Sequence, residues 1–106
     1  MALTLSISGR TKPGRRDELF AAFQRQLADR ALGNDAQRVV VWSADLTDAD
    51  AFQLFEIYSD AQAAAANAQA DWFAAYLTDT MPLLEDAPTM SQGTPLWTKG
   101  VALLTS

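Results

Sequence analysis

The sequence predicts an α+β domain whose elements follow one another as β-α-β-β-α-β, a four-stranded antiparallel sheet with two helices on one face. Three observations carry this expectation. Leu3, Leu5 and Ile7 alternate with Thr4, Ser6 and Ser8, the period-two pattern of a strand with one polar face. Leu19, Phe20, Phe23, Leu27 and Ala31 recur at spacings of three and four, which marks one stripe of a helix. Two short runs rich in β-branched and aromatic residues, Val39–Trp42 and Phe52–Tyr58, then precede a second helical stretch.

Taken in order, the first strand is broken by the segment from Gly9 to Gly14, where Lys12-Pro13-Gly14 opens the first helix. Gly33-Asn34 offers a left-handed stop to that helix. Strand two is centred on Val39-Val40-Val41-Trp42, and the polar connector Asp45 to Asp50 leads to strand three. Ser59-x-x-Gln62 reads as a capping box, so the second helix starts at Asp60. Its alanine-rich run has strong helix propensity and continues to Leu77, with Ala66, Ala70, Phe73 and Leu77 on one stripe. Thr78 to Pro88, interrupted by Pro82, is expected to be irregular or one short turn. Residues 89–104 hold the last strand, bent or bulged at Gly93-Thr94-Pro95. This order is the ferredoxin-like arrangement. Strands two and three are apolar on both faces, yet two helices cover only one, so a second copy of the chain is the expected cover for the other.

The 106 residues are enough for a single domain over 1–106 with a modest core. There is no cysteine and no histidine. That removes disulfides, thiolate nucleophiles, histidine-based triads, histidine zinc and iron sites, and haem held by a proximal histidine. The remaining chemistry runs on carboxylates, hydroxyls, amides, basic side chains or the substrate itself. Residues 1–30 carry a net charge of +3 and residues 31–106 a net charge of −8. The cluster Arg10, Lys12, Arg15 and Arg16 has no aromatic residues interleaved, and the chain is acidic overall, so no nucleic-acid partner is expected and a solvated loop is the simpler reading. No signal peptide or membrane span is read, which makes a cytoplasmic protein with no membrane partner the default expectation.

In three segments the sequence resembles the antibiotic-biosynthesis-monooxygenase-like family of dimeric α+β barrels. They are TKPGRRDELFAAF, DADAFQLFEIYSD and AAAANAQADWFAAYL, whose order and spacing fit together over most of the chain. The family's E-x-aromatic pair at the end of strand three is matched by Glu56 and Tyr58. Its His-x4-His-Phe on helix two reads Asn67-x4-Trp72-Phe73 here, so no role of those histidines carries over. The lead-in to strand two, Gly33-Asn34-Asp35-Ala36-Gln37-Arg38, also departs from the family's pattern. The resemblance implies a homodimer with face-to-face sheets and a small-molecule pocket between sheet and helices. It also implies a choice among cofactor-free oxidation of quinols or polyketide phenols, haem cleavage and isomerisation, between which fold alone does not decide.

Glu56 and Tyr58 leave the same strand face about 7 Å apart, so they can share a pocket. Desolvated by Phe52 and Leu54, Glu56 would take a proton from a phenol or enol; the competing reading pairs it with a basic side chain such as Arg38 or Lys99. Trp72 and Tyr76, four apart on helix two, would form an aromatic wall for a flat substrate, or simply pack in the core or an interface. Asn67 lies on a solvated flank or, if placed in a cleft, holds a substrate oxygen. Trp42 lines either the pocket or a dimer seam, and Trp97 more naturally the seam. The leading expectation is a homodimeric monooxygenase that uses neither metal nor other cofactor and acts on a small electron-rich aromatic molecule. Glu56 and Asn67 would be catalytic, and Tyr58, Trp72, Tyr76 and Trp42 would bind substrate. The alternatives are a non-catalytic small-molecule-binding dimer and an isomerase on the same fold.

Overall fold

A computed structural model describes residues 1–101. The chain runs through β1 (Leu3–Arg10), α1 (Arg16–Gln26), α2 (Ala28–Leu32), β2 (Gln37–Ala44), β3 (Ala51–Tyr58), α3 (Ala61–Gln69), α4 (Asp71–Thr80), a 3-10 turn (Met81–Leu83) and β4 (Thr89–Gly93). The four strands form one antiparallel sheet in the order β2-β3-β1-β4, with the helices on one face, as expected.

Each predicted helix is divided in two. Leu27, at φ −118°, separates α1 from α2, and Ala70, at ψ 144°, separates α3 from α4. Neither break stands at a glycine or proline, which is why the sequence reads as continuous. The halves of the second arm serve different neighbours: α3 lies against β3 and α4 against α1. The half-buried residues of α3 are accordingly Ala63, Ala64 and Asn67, whereas Ala66 and Leu77 of the expected stripe are exposed. The cap is also different. Asp60, not Ser59, accepts from the Ala63 N–H at 2.8 Å, while the Ser59 N–H is already bonded to the Ala36 carbonyl. Gly33 sits at φ −89°, so the first arm ends without a left-handed residue, and Pro13 lies in the turn before α1 rather than in its first turn. That turn instead uses Gly14 at φ 77°.

The last strand is shorter than expected. It ends at Gly93, whose missing Cβ would lie 2.9 Å from the Thr4 hydroxyl, and residues 94–101 leave the ladder. The remainder of the expected strand, 102–104, lies outside the described residues.

Register sorts the side chains. Leu5 stands opposite Glu56 and Ile7 opposite Leu54, so these point to the helices together with Phe52, Tyr58 and Trp42. The core centres on Leu19, Phe52 and Leu83, with Trp42 and Leu84 packed against it. Trp42 lies nearly parallel to Phe52, with centroids 5.6 Å apart, and tilts against Phe20 at 4.9 Å. The basic cluster works as local fasteners. Arg10 pairs with Asp48 and Glu85, Arg15 with Glu18, and the Arg16 guanidinium donates to the carbonyls of Asp45, Asp48 and Ala51.

Candidate functional site

At the far end of the sheet from the aromatic stack, the interlayer turns polar. Glu56 and Tyr58 are both buried there, on the helix-facing side of β3. The Tyr58 hydroxyl donates to Glu56 Oε1 at 2.6 Å. Gln37 Nε2 donates to the same oxygen at 2.6 Å and to the Tyr58 oxygen at 3.2 Å. From the helix layer, Asn67 Nδ2 donates to the Tyr58 oxygen at 3.1 Å, and Asn34 Nδ2 donates to Asn67 Oδ1 at 3.3 Å. Asn34 is fixed in turn by accepting from the Ala36 N–H at 3.1 Å.

Local sequence explains each placement. Alternation on β3 puts Glu56 and Tyr58 on one face. The alanines of α3 bring that helix near enough for a short amide to reach a phenol oxygen. On β2, Gln37 pairs with Tyr58 while Val39 pairs with Ile57, so Arg38 is an extra residue in a β-bulge. Because side chains alternate faces, an unbulged strand would place Arg38 opposite Tyr58. The inserted residue sets a neutral carboxamide there in place of a cation.

Electrostatics follow from the contacts. Burial, and then the hydrogen bond to Glu56 and the carboxylate's charge, hold the Tyr58 phenol well above its ordinary range, so it stays protonated and donates. Both donors fall on Oε1 of Glu56; Oε2 takes part in neither bond. The result is a buried carboxylate held in a fixed orientation by a phenol and an amide.

Of the residues singled out in the sequence, the structure brings Glu56, Tyr58 and Asn67 together. Trp42 makes its ring contacts with Phe20 and Phe52, toward the opposite end of the strands. Trp72 carries the Arg30 guanidinium over its ring at 4.7 Å and meets Phe73 edge-on, and Tyr76 stacks on Phe73 at 6.1 Å. Burial pushes the Tyr76 phenol up to about 12. Trp97 is 81% exposed. Gln37 and Asn34 are the functional candidates that sequence reasoning missed. Their one signal is the departure of the 33–38 lead-in from the family pattern, which gives no role to either. Among the described residues no group of three or more acidic side chains is placed to hold a metal ion.

Two hollows adjoin the sheet. A groove of about 680 Å³ between α2 and β2 is walled by Leu32, Asn34, Gln37, Arg38 and Val40. A smaller one of about 260 Å³ lies along the open face, beside Ser6, Val41, Ser43 and Phe55.

No family profile matches the sequence, and no curated protein matches it. Solved structures do match the fold. A candidate antibiotic biosynthesis monooxygenase from Chloroflexus aurantiacus superposes with a TM-score of 0.80 at 19% identity, covering 96% of this chain and 100% of that one. Another from Nitrosomonas europaea gives 0.84 at 12% identity, over 93% and 94% of the two chains. A third, from Caulobacter crescentus, gives 0.83 at 18% identity over 91% of each. The chain therefore has the fold of structures named for antibiotic biosynthesis monooxygenases.

Proposed function

We propose that this chain is a member of the antibiotic-biosynthesis-monooxygenase-like family and a cofactor-independent monooxygenase of small electron-rich aromatics, of the anthrone or quinol type. One observation carries the reading: a buried carboxylate, Glu56, oriented by Tyr58 and Gln37 beside the Asn67 amide, on a fold shared with structures so named. Glu56 takes the proton of the acidic C–H or O–H, leaving an enolate or phenolate. This carbanion-like ring passes one electron to O₂, and recombination of the two radicals forms the C–O bond of a peroxide. The proton held by Glu56 returns to give the hydroperoxide. Loss of water leaves the carbonyl, so an anthrone and one O₂ yield an anthraquinone and one H₂O. Tyr58 keeps its proton and stabilises the ionised base, and Asn67 donates to the developing oxyanion. Trp72 and Tyr76 bind the substrate through their rings in this reading, and Trp42, packed on Phe20 and Phe52 at the opposite end of the strands, stands apart from Glu56.

The working unit in this reading is a homodimer in the cytoplasm. The open sheet face presents Val41 at 49% and Phe55 at 39% exposure beside the half-exposed strand β2, an apolar strip that a second copy would cover. Light scattering should give twice the monomer mass, and Phe55→Lys should shift the protein to monomer. Among the described residues no helix is long and apolar enough to cross a membrane.

The test is O₂ consumption by metal-free, flavin-free protein with an anthrone. Glu56→Gln, shown to be folded, should slow it by ~10²–10⁴-fold, the usual contribution of a positioned base. A rate no greater than in buffer across a panel of anthrones and quinols would overturn the reading in favour of a non-catalytic binding module. Product formation without O₂ uptake would favour an isomerase.

A further inference from the structure

The groove between α2 and β2 and the buried Glu56 cluster share two residues. Gln37 and Asn34 both wall the groove, and both belong to the hydrogen-bonded chain that ends on Glu56. Register brings the two still closer. Val40, a further groove residue, is the direct cross-strand partner of Glu56, and Gln37 that of Tyr58, so the side chains are roughly 5 Å apart at Cβ. Among the described residues β2 is the edge of the sheet. The groove's size falls in the range of small-molecule sites, about 300–1,000 Å³, and Leu32, Ala31 and Val40 give it apolar walls.

We infer that this groove is the route by which a ligand reaches Glu56, that its ligands are flat aromatics bearing an O–H, and that Gln37 is the positioning residue between the two. The inference rests on the proposed role of Glu56 as proton acceptor. Gln37 Nε2 holds Oε1, which leaves Oε2 as the oxygen offered to a ligand hydroxyl. A carboxylate discriminates sharply between a hydroxyl, which donates to it, and an ether, which does not. The bulge at Arg38 matters because it sets an amide in this place. The amide fixes the carboxylate through a hydrogen bond without adding a full positive charge beside it.

The probes are 2-naphthol and its methyl ether, neither of which the proposed oxidation requires to turn over. In the wild-type protein, titration followed by ¹⁵N spectra should shift the side-chain amide signals of Gln37 and Asn34. The naphthol should bind about tenfold or more tighter than the ether, the ratio expected for one hydrogen bond to a charged group. Leu32→Glu, at an 85% exposed groove position, should weaken naphthol binding about tenfold without loss of folding. Gln37→Met keeps the volume and removes the donor, so the naphthol-to-ether ratio should collapse toward one in protein that remains folded. Shifts confined to the open-face hollow around Ser43 and Phe55 would overturn the inference. So would an unchanged ratio in Gln37→Met, or no binding at millimolar concentration. Naphthol binding in the groove by a protein that consumes no O₂ would leave this inference standing and remove the oxygenase reading. Wild-type anthrone oxidation by Leu32→Glu would do the reverse.

Discussion

Removal of a single hydroxyl, Tyr58→Phe, separates a cooperative polar cluster from a set of incidental contacts. In the folded chain that oxygen has three partners: it donates to Glu56 at 2.6 Å and accepts from Asn67 at 3.1 Å and Gln37 at 3.2 Å. The bond to the carboxylate belongs to the class with a charged partner, about 1.5–3 kcal/mol. Asn67 Nδ2 would lose its acceptor inside the fold, a further cost of about 1 kcal/mol. Gln37 keeps Glu56 Oε1 as acceptor, so its contribution is unchanged. The expected loss is about 3 kcal/mol, equivalent to a fall in Tm of roughly 10 °C or more for a chain of this length. Tyr76→Phe is the matched control, because among the described residues the Tyr76 hydroxyl makes no hydrogen bond; its change should stay within about 0.5 kcal/mol. Urea unfolding of the three proteins at neutral pH measures both differences. A Tyr58→Phe loss below about 1 kcal/mol, or one equal to that of Tyr76→Phe, would refute the claim that the hydroxyl organises the cluster.

The two tyrosines are the only ones in the chain, and both phenols are raised, so tyrosinate absorbance should show no step near pH 10 until the protein unfolds. Since the folded state binds these protons more tightly than the unfolded state, their stabilisation is complete below about pH 10 and should be lost as pH rises through about 12, seen as a falling urea midpoint. Arg16→Met should cost about 2 kcal/mol, because it removes charged hydrogen bonds to carbonyls of the 45–51 loop. Arg10→Met, whose pairs lie half-exposed, should cost clearly less than Arg16→Met and less still in high salt, a contrast that thermal melts would resolve. Gly9→Ala should destabilise by about 1–3 kcal/mol, because its Cβ would lie 2.9 Å from the Phe52 ring and 3.2 Å from Pro88, which calorimetry would detect.

Much of this architecture was legible in the sequence because it depends on side-chain period. Alternation at 3–8 locates β1, a run rich in aromatic and β-branched residues at 52–58 locates β3, and the two-residue period of a strand gives the face that Glu56 and Tyr58 share. The helical spacing at 19–31 located the first arm. What the period could not supply was any feature that interrupts it without a marker residue. The breaks at Leu27 and Ala70 lie in good helix formers, and a continuous wheel places on a flank the Asn67 that in the structure reaches Tyr58. The bulge at Arg38 is equally unmarked, and it alone decides that Gln37 joins the cluster. The capping error at Ser59 has another cause: Ser and Asp are adjacent, both can cap, and pairing of Ser59 with Ala36 settles the choice.

The alanines of α3 also act as a ruler. Ala63 and Ala64 are half-buried beside Asn67, so methyl groups set how closely the helix backbone approaches β3, and that spacing matches the reach of an asparagine to the Tyr58 oxygen. A longer group at position 67 would overrun the gap. Placing a histidine there is therefore a change of spacing before it is a change of chemistry: the helix must retreat, or the ring must find a different partner. The identity of the polar group at 67 and the smallness of its neighbours form one unit of inheritance, to be altered together or left alone.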